Sequence, residues 1–314
     1  MPTRDEFTVG YICADGNALT SCVISLDEEH PPLPQYRHDS NAYQLGKIGS
    51  HNIAMCSLLG ESGYETESAA VDMMRSFPRI ELLILVNGDA GAVPRDAGQV
   101  HVGDVVVAQK FAKTNPYNPD GGLVEMNPLR ASGLLATTDM NTVQQWSLDE
   151  GIAMLIAKNG RCGGKCRRPA GDDVDKLDKF FDPRRPDEPA CMVHRHGLVI
   201  SDRTYPEDRE HRESIAGPGT FAFTSAVCFD HGQTAGLPLH KPVLHEVSVL
   251  GVSNYCDEDA QRNRNTWTRY ASMGAAACAR KIVTSLATEN STGWDGEGCH
   301  DYAFGSIESS TKEV

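Results

Sequence analysis

The order of apolar and polar stretches predicts an α/β protein that begins with a strand and a helix. Residues 7–13 are aromatic and β-branched, which is typical of a strand, and apolar residues then recur at helical spacing from Ala18 to Glu28. Two short apolar runs, 43–48 and 52–58, are separated by Gly-Ser-His and predict a hairpin. Residues 68–77 return to helical spacing, so a second helix follows.

A second group of apolar segments predicts the centre of the sheet. Ile80 to Val86 is aliphatic apart from Glu81, the pattern of a strand covered on both faces, and 102–108 predicts a neighbouring strand. The glycine- and proline-containing stretch 87–99 between them is expected to be a loop. Later elements are strands at 197–201 and 242–253 and a helix at 266–286, in which Gly274 to Ala279 is small enough for close packing.

The remaining stretches define the predicted domain organisation. Residues 115–130 and 158–189 are polar and rich in glycine, proline and charge, which is typical of surface excursions. We find no internal repeat and no break in composition. We therefore predict a single domain over residues 7–287, with an irregular insertion at 158–190 and a flexible C-terminal tail at 288–314.

Composition and charge restrict the possible partners. The chain has 314 residues, of which 40% are hydrophobic, enough for a sizeable core. Its net charge of −14 would repel a phosphate backbone or an anionic membrane, so we expect neither nucleic acid nor membrane as a partner. The N-terminus lacks an apolar signal, and the longest aliphatic run, 82–86, is far too short to span a membrane. A soluble, cytoplasmic protein with a small-molecule partner is expected.

The ten cysteines are scattered, and we interpret them mainly as reduced, buried small hydrophobes. One group has the chemistry of a zinc site: Cys162 and Cys166, followed by Cys191 and either His194 or His196. Cys-x3-Cys is a less specific spacing than paired Cys-x2-Cys, however. A plain insertion loop is the favoured interpretation, and no metal or other cofactor is predicted.

Eight short stretches, spread in order over most of the chain, match the motifs of one protein superfamily. They are Val9-Gly-Tyr-Ile-Cys-Ala14, Tyr43 to Gly49 with His51-Asn52, Met73 to Pro78, Val102-Gly-Asp-Val-Val-Val107, Gly197 to Ser201, Cys228-Phe229, Gly251 to Asp257, and Trp267-Thr-Arg-Tyr-Ala271. In these stretches the chain resembles the fungal branch of the nucleoside phosphorylase and nucleosidase superfamily. The resemblance implies a three-layer α/β/α fold with a mixed, partly barrel-like sheet flanked by helices, assembled as a homo-oligomer.

The chain departs from this superfamily where phosphate should bind. The family uses a glycine-rich loop after a buried strand, because backbone N–H groups approach an anion only where side chains are absent. In Val86-Asn-Gly-Asp-Ala-Gly-Ala-Val-Pro94, Asn87 and Ala90 have replaced glycines, and Asp89 brings a negative charge. Like charges about 4 Å apart in a partly buried site cost a few kcal/mol, so Asp89 argues against phosphate unless it turns away. An ordinary strand-to-loop turn with an exposed Asp is the alternative.

The position of the water-activating base has changed as well. Hydrolytic members of the family place a glutamate shortly after the first strand, where this chain has Ala18. A methyl group cannot act as a base. Asp15 is nearby, but a turn or helix-cap role explains it more simply.

The ribose and base motifs differ too. The family reads Cys-Phe-Glu-Met-Glu-Ala-Ala-Gly, and here Cys228-Phe-Asp-His-Gly-Gln-Thr-Ala-Gly236 aligns His231 with the Met and Gly232 or Gln233 with the sugar-binding Glu. Asn254 stands where the family has an aspartate that protonates the base, and an amide donates a hydrogen bond but cannot deliver a proton. Some branches of the superfamily use Asn there.

These departures favour a pocket reused for other chemistry. Our leading hypothesis is a phosphate-independent, cofactor-free enzyme of fungal secondary metabolism, an isomerase or cyclase of the intramolecular Diels–Alder type, acting on a hydrophobic terpenoid-like substrate. Such activity resembles that of the norbornene-forming cyclases of sordarin-type pathways. It requires positioning of two unsaturated groups and a hydrogen bond to an activating carbonyl.

Candidate residues follow from the aligned positions. The predicted catalytic residues are His231, Asn254 and Asp230, with His231 or Asn254 donating to the carbonyl, and the predicted substrate-binding residues are Asp89, Tyr64, Ser253 and Gly232. An acid–base trio of Asp230, His231 and Asp257 is also conceivable, although a helix start or a core histidine explains these residues more simply. The alternatives are a purine or uridine nucleoside phosphorylase or nucleoside hydrolase, and a non-catalytic small-molecule binding protein.

Overall fold

The structure is a computed structural model, and its described residues form most of the predicted domain. They are 1–58, 64–93, 100–108, 110–114, 123–125, 146–159, 166–170, 189–195, 198–201, 206–217, 219–224 and 245–286. Only the ends and a short central part of the predicted insertion 158–190 fall within these ranges. The predicted tail 288–314 lies outside them.

The described strands form one mixed sheet that is not closed. They are β1 (Phe7–Cys13), β2 (Glu28–His30), β3 (Gln44–Ile48), β4 (His51–Ser57), β5 (Leu82–Ala92), β6 (Val105–Ala108), β7 (Lys110–Thr114), β8 (Leu123–Glu125), β9 (Val193–Arg195), β10 (Leu198–Ser201), β11 (Thr220–Thr224) and β12 (His245–Asn254). The main order is β2-β3-β4-β1-β5-β11-β10-β7-β8, while β12 pairs with β5 and β6, and β6 also pairs with β9.

Helices flank this sheet, as the α/β prediction requires. A short 3-10 helix (Arg4–Glu6) precedes β1, and the α-helices in the described residues are α1 (Gly16–Ser25), α2 (Tyr64–Ser76), α3 (Leu148–Lys158), α4 (Arg209–Ile215) and α5 (Ala260–Thr284). Among these helices, none has the length and apolarity to cross a membrane.

Strand β1 separates two helical layers because its successive side chains point to opposite faces. A Cβ added at Gly10 would lie 2.5 Å from the sulfur of Met73, so this face packs against α2. Tyr11 faces the other way, towards Cys22 of α1 and Cys278 of α5, and burial raises the pKa of its hydroxyl well above the ordinary value. The predicted α/β/α layering is confirmed.

Strand β5 is the centre of the sheet and is longer than predicted. It pairs in parallel with β1 and β12 and, at its C-terminal end, antiparallel with β11. Residues 87–92, predicted as the start of a loop, are therefore strand, because β11 and β12 supply hydrogen-bonding partners on both sides. A glycine-containing sequence without alternation does not reveal such partners.

Most other predicted elements are confirmed, with shifted ends. The hairpin turns at Gly49, whose φ of 58° is in the left-handed region that favours glycine. Helix α1 ends at Ser25, because Glu28–His30 pairs with β3 and becomes an edge strand. Helix α5 begins at Ala260, six residues before the predicted start, since its first turns are polar and carry little apolar periodicity. The seven described cysteines are buried, as predicted.

Two glycines allow α5 to pack directly on the central strands. A Cβ at Gly251 of β12 would lie 2.1 Å from the carbonyl oxygen of Ala271, and one at Gly88 of β5 would lie 2.7 Å from the Cα of Ser272. Both distances are far inside van der Waals contact with helix backbone. The helix therefore approaches the sheet closely only because these positions lack side chains.

Replacing Gly251 with alanine is expected to lower the free energy of unfolding by about 1–3 kcal/mol or more, because the helix must move away from the strand. Gly16→Ala is the matched control, since a Cβ there meets nothing within 4 Å at the start of α1. Urea denaturation measures both variants. Equal stability of Gly251→Ala and the wild type would show that the helix contact is looser than described.

Candidate functional site

Three of the polar residues that the sequence singled out, Asp89, Ser253 and Asn254, converge at the C-terminal ends of β5 and β12. These strands are parallel neighbours, and Val252 pairs with Ala90 and Asn254 with Gly91. Ligands of open α/β sheets bind outside the carboxyl ends of such strands. Asp89 on β5 and Ser253 on β12 are thereby brought into contact.

A chain of hydrogen bonds connects the three residues. Ser253 Oγ donates to Asp89 Oδ1 at 2.8 Å, and Asn254 Nδ2 donates to Ser253 Oγ at 3.0 Å. Ser253 and Asn254 are fully buried, whereas the Asp89 side chain is 27% exposed. The amide donates to the hydroxyl and the hydroxyl donates to the carboxylate. The partly exposed end of this series is therefore the negatively charged carboxylate.

The backbone after β12 fixes the orientation of the Asn254 amide. Cys256 N donates to Asn254 Oδ1 at 2.8 Å, which closes a tight turn. Cys256 has a φ of 51°, an uncommon conformation for a residue other than glycine. Outliers of this kind cluster at functional sites, where the surrounding structure maintains them.

Arg264 of α5 compensates the charge of Asp89. Its Nε lies 3.3 Å from Asp89 Oδ1, and its side chain is only 17% exposed. Within the described ranges, Glu207 is a second carboxylate near this guanidinium, 4.0 Å away and 75% exposed. Sequence reasoning missed Arg264, because it lies in the polar first turns of α5 and no motif connects it with residue 89.

The Asn87 side chain is hydrogen-bonded to a backbone N–H that an anion-binding loop would offer to its ligand. Its Oδ1 accepts from Asp89 N at 2.9 Å, and its Nδ2 donates to Thr224 Oγ1 at 2.9 Å. The N–H of residue 89 is therefore engaged within the protein. That the usual phosphate cradle is altered stays a prediction from the loop sequence.

A second buried charge lies behind the turn that follows β12. Arg212 of α4 is 1% exposed, and its NH1 donates to Tyr255 O at 2.7 Å. Burial raises the pKa of Asp257 above its ordinary value, and the positive charge of Arg212 lowers it in part. Asp257 Oδ1 also accepts from Asp259 N at 3.1 Å, so this carboxylate helps to form the turn into α5.

The other residues singled out by the sequence lie partly within and partly outside the described residues. Asp15 accepts from Ala18 N at 2.7 Å and caps α1, which confirms the capping interpretation, while Ala18 itself is fully buried. Tyr64 is the first residue of α2, and its side chain lies outside the described part. Asp230, His231 and Gly232 also lie outside the described residues, so their predicted roles stay predictions.

The residues weighed as zinc ligands are bonded to other groups where they are described. Cys191 Sγ donates to Asp149 Oδ1 at 3.0 Å and accepts from the Tyr270 hydroxyl at 3.4 Å. His194 Nε2 lies 2.7 Å from Asp104 Oδ2. Within the described ranges, no three His, Cys, Asp or Glu side chains are placed to hold a metal ion, and Cys162 and His196 lie outside those ranges.

Comparison with solved structures shows the fold. The 5′-methylthioadenosine/S-adenosylhomocysteine nucleosidase of Neisseria meningitidis in complex with methylthio-immucillin-A is 15% identical, with a TM-score of 0.56 over 89% of this chain and 99% of that chain. The nucleosidase of Streptococcus pneumoniae is 16% identical, with a TM-score of 0.56 over 90% of this chain and 100% of that one. Futalosine hydrolase of Helicobacter pylori is 12% identical, with a TM-score of 0.55 over 90% and 100%.

Comparison of sequences finds a similar segment within a longer protein. A nucleotide-binding leucine-rich repeat (NLR)-like protein of the fungus Hyaloscypha variabilis is 32% identical over 311 residues, covering 91% of this chain. The chain spans about 30% of the length of that relative. No model of a known protein family matches the chain. The structural likeness and the sheet order together show that the chain has the nucleoside phosphorylase-like fold.

Proposed function

We propose that this chain is a phosphate-independent enzyme of the nucleosidase type, acting on a neutral, hydroxyl-bearing compound of the nucleoside class. The observation that carries the proposal is the Asp89 carboxylate, which is held by Ser253 and Arg264 at the strand ends and remains partly exposed. A fixed carboxylate accepts hydrogen bonds from sugar hydroxyls and repels a free phosphate.

The chemistry of N-glycosidic cleavage fits this group. As the C–N bond breaks, the base leaves with the bonding electrons and takes a proton from solvent water, and a preorganised carboxylate stabilises the positive charge that remains on the sugar. The same carboxylate can accept a proton from the attacking water. Asp89 would thus serve in place of the family glutamate whose position is taken by buried Ala18. Asn254 would orient Ser253, and through it Asp89.

The described surroundings of Asp89 favour a polar ligand. Arg264, Glu207 and Asp89 itself are charged, and covering them with a hydrophobic substrate would remove their hydration without replacing it. The nucleosidases and the futalosine hydrolase that share the fold lend further support, since their names describe cleavage of nucleoside-like compounds. By analogy with the NLR-like relative, we propose that the enzyme can act as one module of a longer protein.

A cofactor-free cyclase or isomerase of fungal secondary metabolism, acting on a terpenoid-like substrate, is the second candidate. Asn254 favours it: a buried amide in place of the family aspartate can donate to a carbonyl but cannot protonate a base. His231 and Asp230 would complete that site. For either activity, a homo-oligomeric, cytoplasmic protein remains our proposal.

The wild-type protein is expected to release base from methylthioadenosine, adenosine or inosine at the same rate with and without phosphate. Asp89→Asn should lower this rate about 100-fold or more, because it removes the base and the stabilising charge. Chromatography of the products measures both rates, and Glu29→Gln on the exposed edge strand β2 is the matched control. Formation of a sugar phosphate, or ligand-dependent thermal stabilisation without turnover, would contradict the proposal in favour of a phosphorylase or a binding protein.

Asn254→Asp separates the two candidate functions. In a nucleosidase the new carboxyl group can protonate the base. The rate of base release is therefore expected to rise about 10-fold or more, because a positioned general acid accelerates such a step. Asn254→Ala, which removes the amide without adding an acid, should show no gain. A cyclase would gain no base release from Asn254→Asp, so an unchanged rate in a well-folded variant favours the second candidate.

A further inference from the structure

We propose that Arg264, together with Ser253, forms a latent oxyanion site that Asp89 occupies with its own carboxylate. Asp89 and Arg264 are then the specificity-determining pair that makes the site accept neutral ligands and exclude phosphate. The inference deepens the proposed function by naming what excludes the anion. Its test, however, measures anion binding and not cleavage.

The contacts of Asp89 Oδ1 are those that a bound oxyanion would have. The same oxygen accepts from Ser253 Oγ at 2.8 Å and lies 3.3 Å from Arg264 Nε. A hydroxyl and a guanidinium converging on one oxygen are typical of phosphate and sulfate recognition. The backbone N–H of residue 89 is engaged with Asn87, so the side chains of Ser253 and Arg264 would supply the binding.

The guanidinium cannot easily leave this position. The Arg264 side chain is 17% exposed, and its helix is held against the sheet where Gly88 and Gly251 allow backbone contact. Removing the Asp89 side chain would therefore leave the cation and the hydroxyl in place and open the volume between them. A preorganised site of this kind binds an anion without a large ordering cost.

Asp89 is the nearer of the two carboxylates that the described part of the chain places beside Arg264. Glu207 lies 4.0 Å from the guanidinium and is 75% exposed, and an ion pair with so much solvent around it is weak. Removing the Asp89 carboxylate takes one negative charge away from this guanidinium. An added anion would restore the balance that Asp89 now provides.

Thermal unfolding of the full chain in potassium phosphate, against potassium chloride of equal ionic strength, tests the inference. The wild type should not be stabilised by phosphate, whereas Asp89→Ser should gain about 2 °C in Tm at a phosphate concentration ten times its Kd. The double variant Asp89→Ser/Arg264→Gln should lose this gain. Glu207→Gln is the matched control, and it should gain nothing because Asp89 still fills the site.

Two results would overturn the inference: an Asp89→Ser variant that unfolds cooperatively without any phosphate-dependent shift, or a double variant that keeps the shift. If Asp89→Ser does not fold, Asp89→Ala gives the same readout, since it also removes the carboxylate and opens the volume. The phosphate-binding test and the test of nucleosidase activity can fail independently of each other. Phosphate binding by Asp89→Ser together with an inactive wild type would support the latent site while contradicting the nucleosidase.

Discussion

The close contact between helix α5 and strands β5 and β12 is the constraint on which the rest of the molecule depends. Gly88 and Gly251 bring the helix backbone within reach of the strand backbone, because any side chain at either position would overlap Ser272 or Ala271. The helix is buried along its small residues from Ala271 to Ala279, so its axis is fixed relative to the sheet. This arrangement also sets where the polar first turns of α5 lie, and it delivers Arg264 to Asp89.

In the proposed function, the Asp89 carboxylate takes the place of a phosphate ion. The resemblance to nucleoside phosphorylases and nucleosidases implies that the loop after the central strand offers backbone N–H groups to phosphate. In this chain the loop region is a paired strand through Ala92, the N–H of residue 89 binds Asn87, and the Asp89 carboxylate meets a guanidinium. A carboxylate supplied by the protein is always present, which is why we propose hydrolysis or another phosphate-independent reaction and not phosphorolysis.

The buried polar chain from Asn254 to Asp89 also has an energetic meaning. Buried amides and hydroxyls are costly unless they are hydrogen-bonded, and here each described partner is bonded to the next. Such a chain favours one orientation of the carboxylate, a condition for preorganised electrostatic stabilisation. The left-handed Cys256 at its far end is maintained by the same bonds.

The sequence by itself determined the fold class and most elements, because alternation, helical spacing and the aliphatic run from Ile80 to Val86 are local properties of the chain. It also identified Asp89, Ser253 and Asn254, since matched motifs place them at strand ends. The extension of β5 to Ala92 and the role of Arg264 could not be predicted, because both depend on partners more than a hundred residues away: the pairing with β11 and β12, and the packing of α5 on the sheet. Tertiary structure decided the charge balance of the site, since an ion pair forms only where folding brings its two members within a few ångströms.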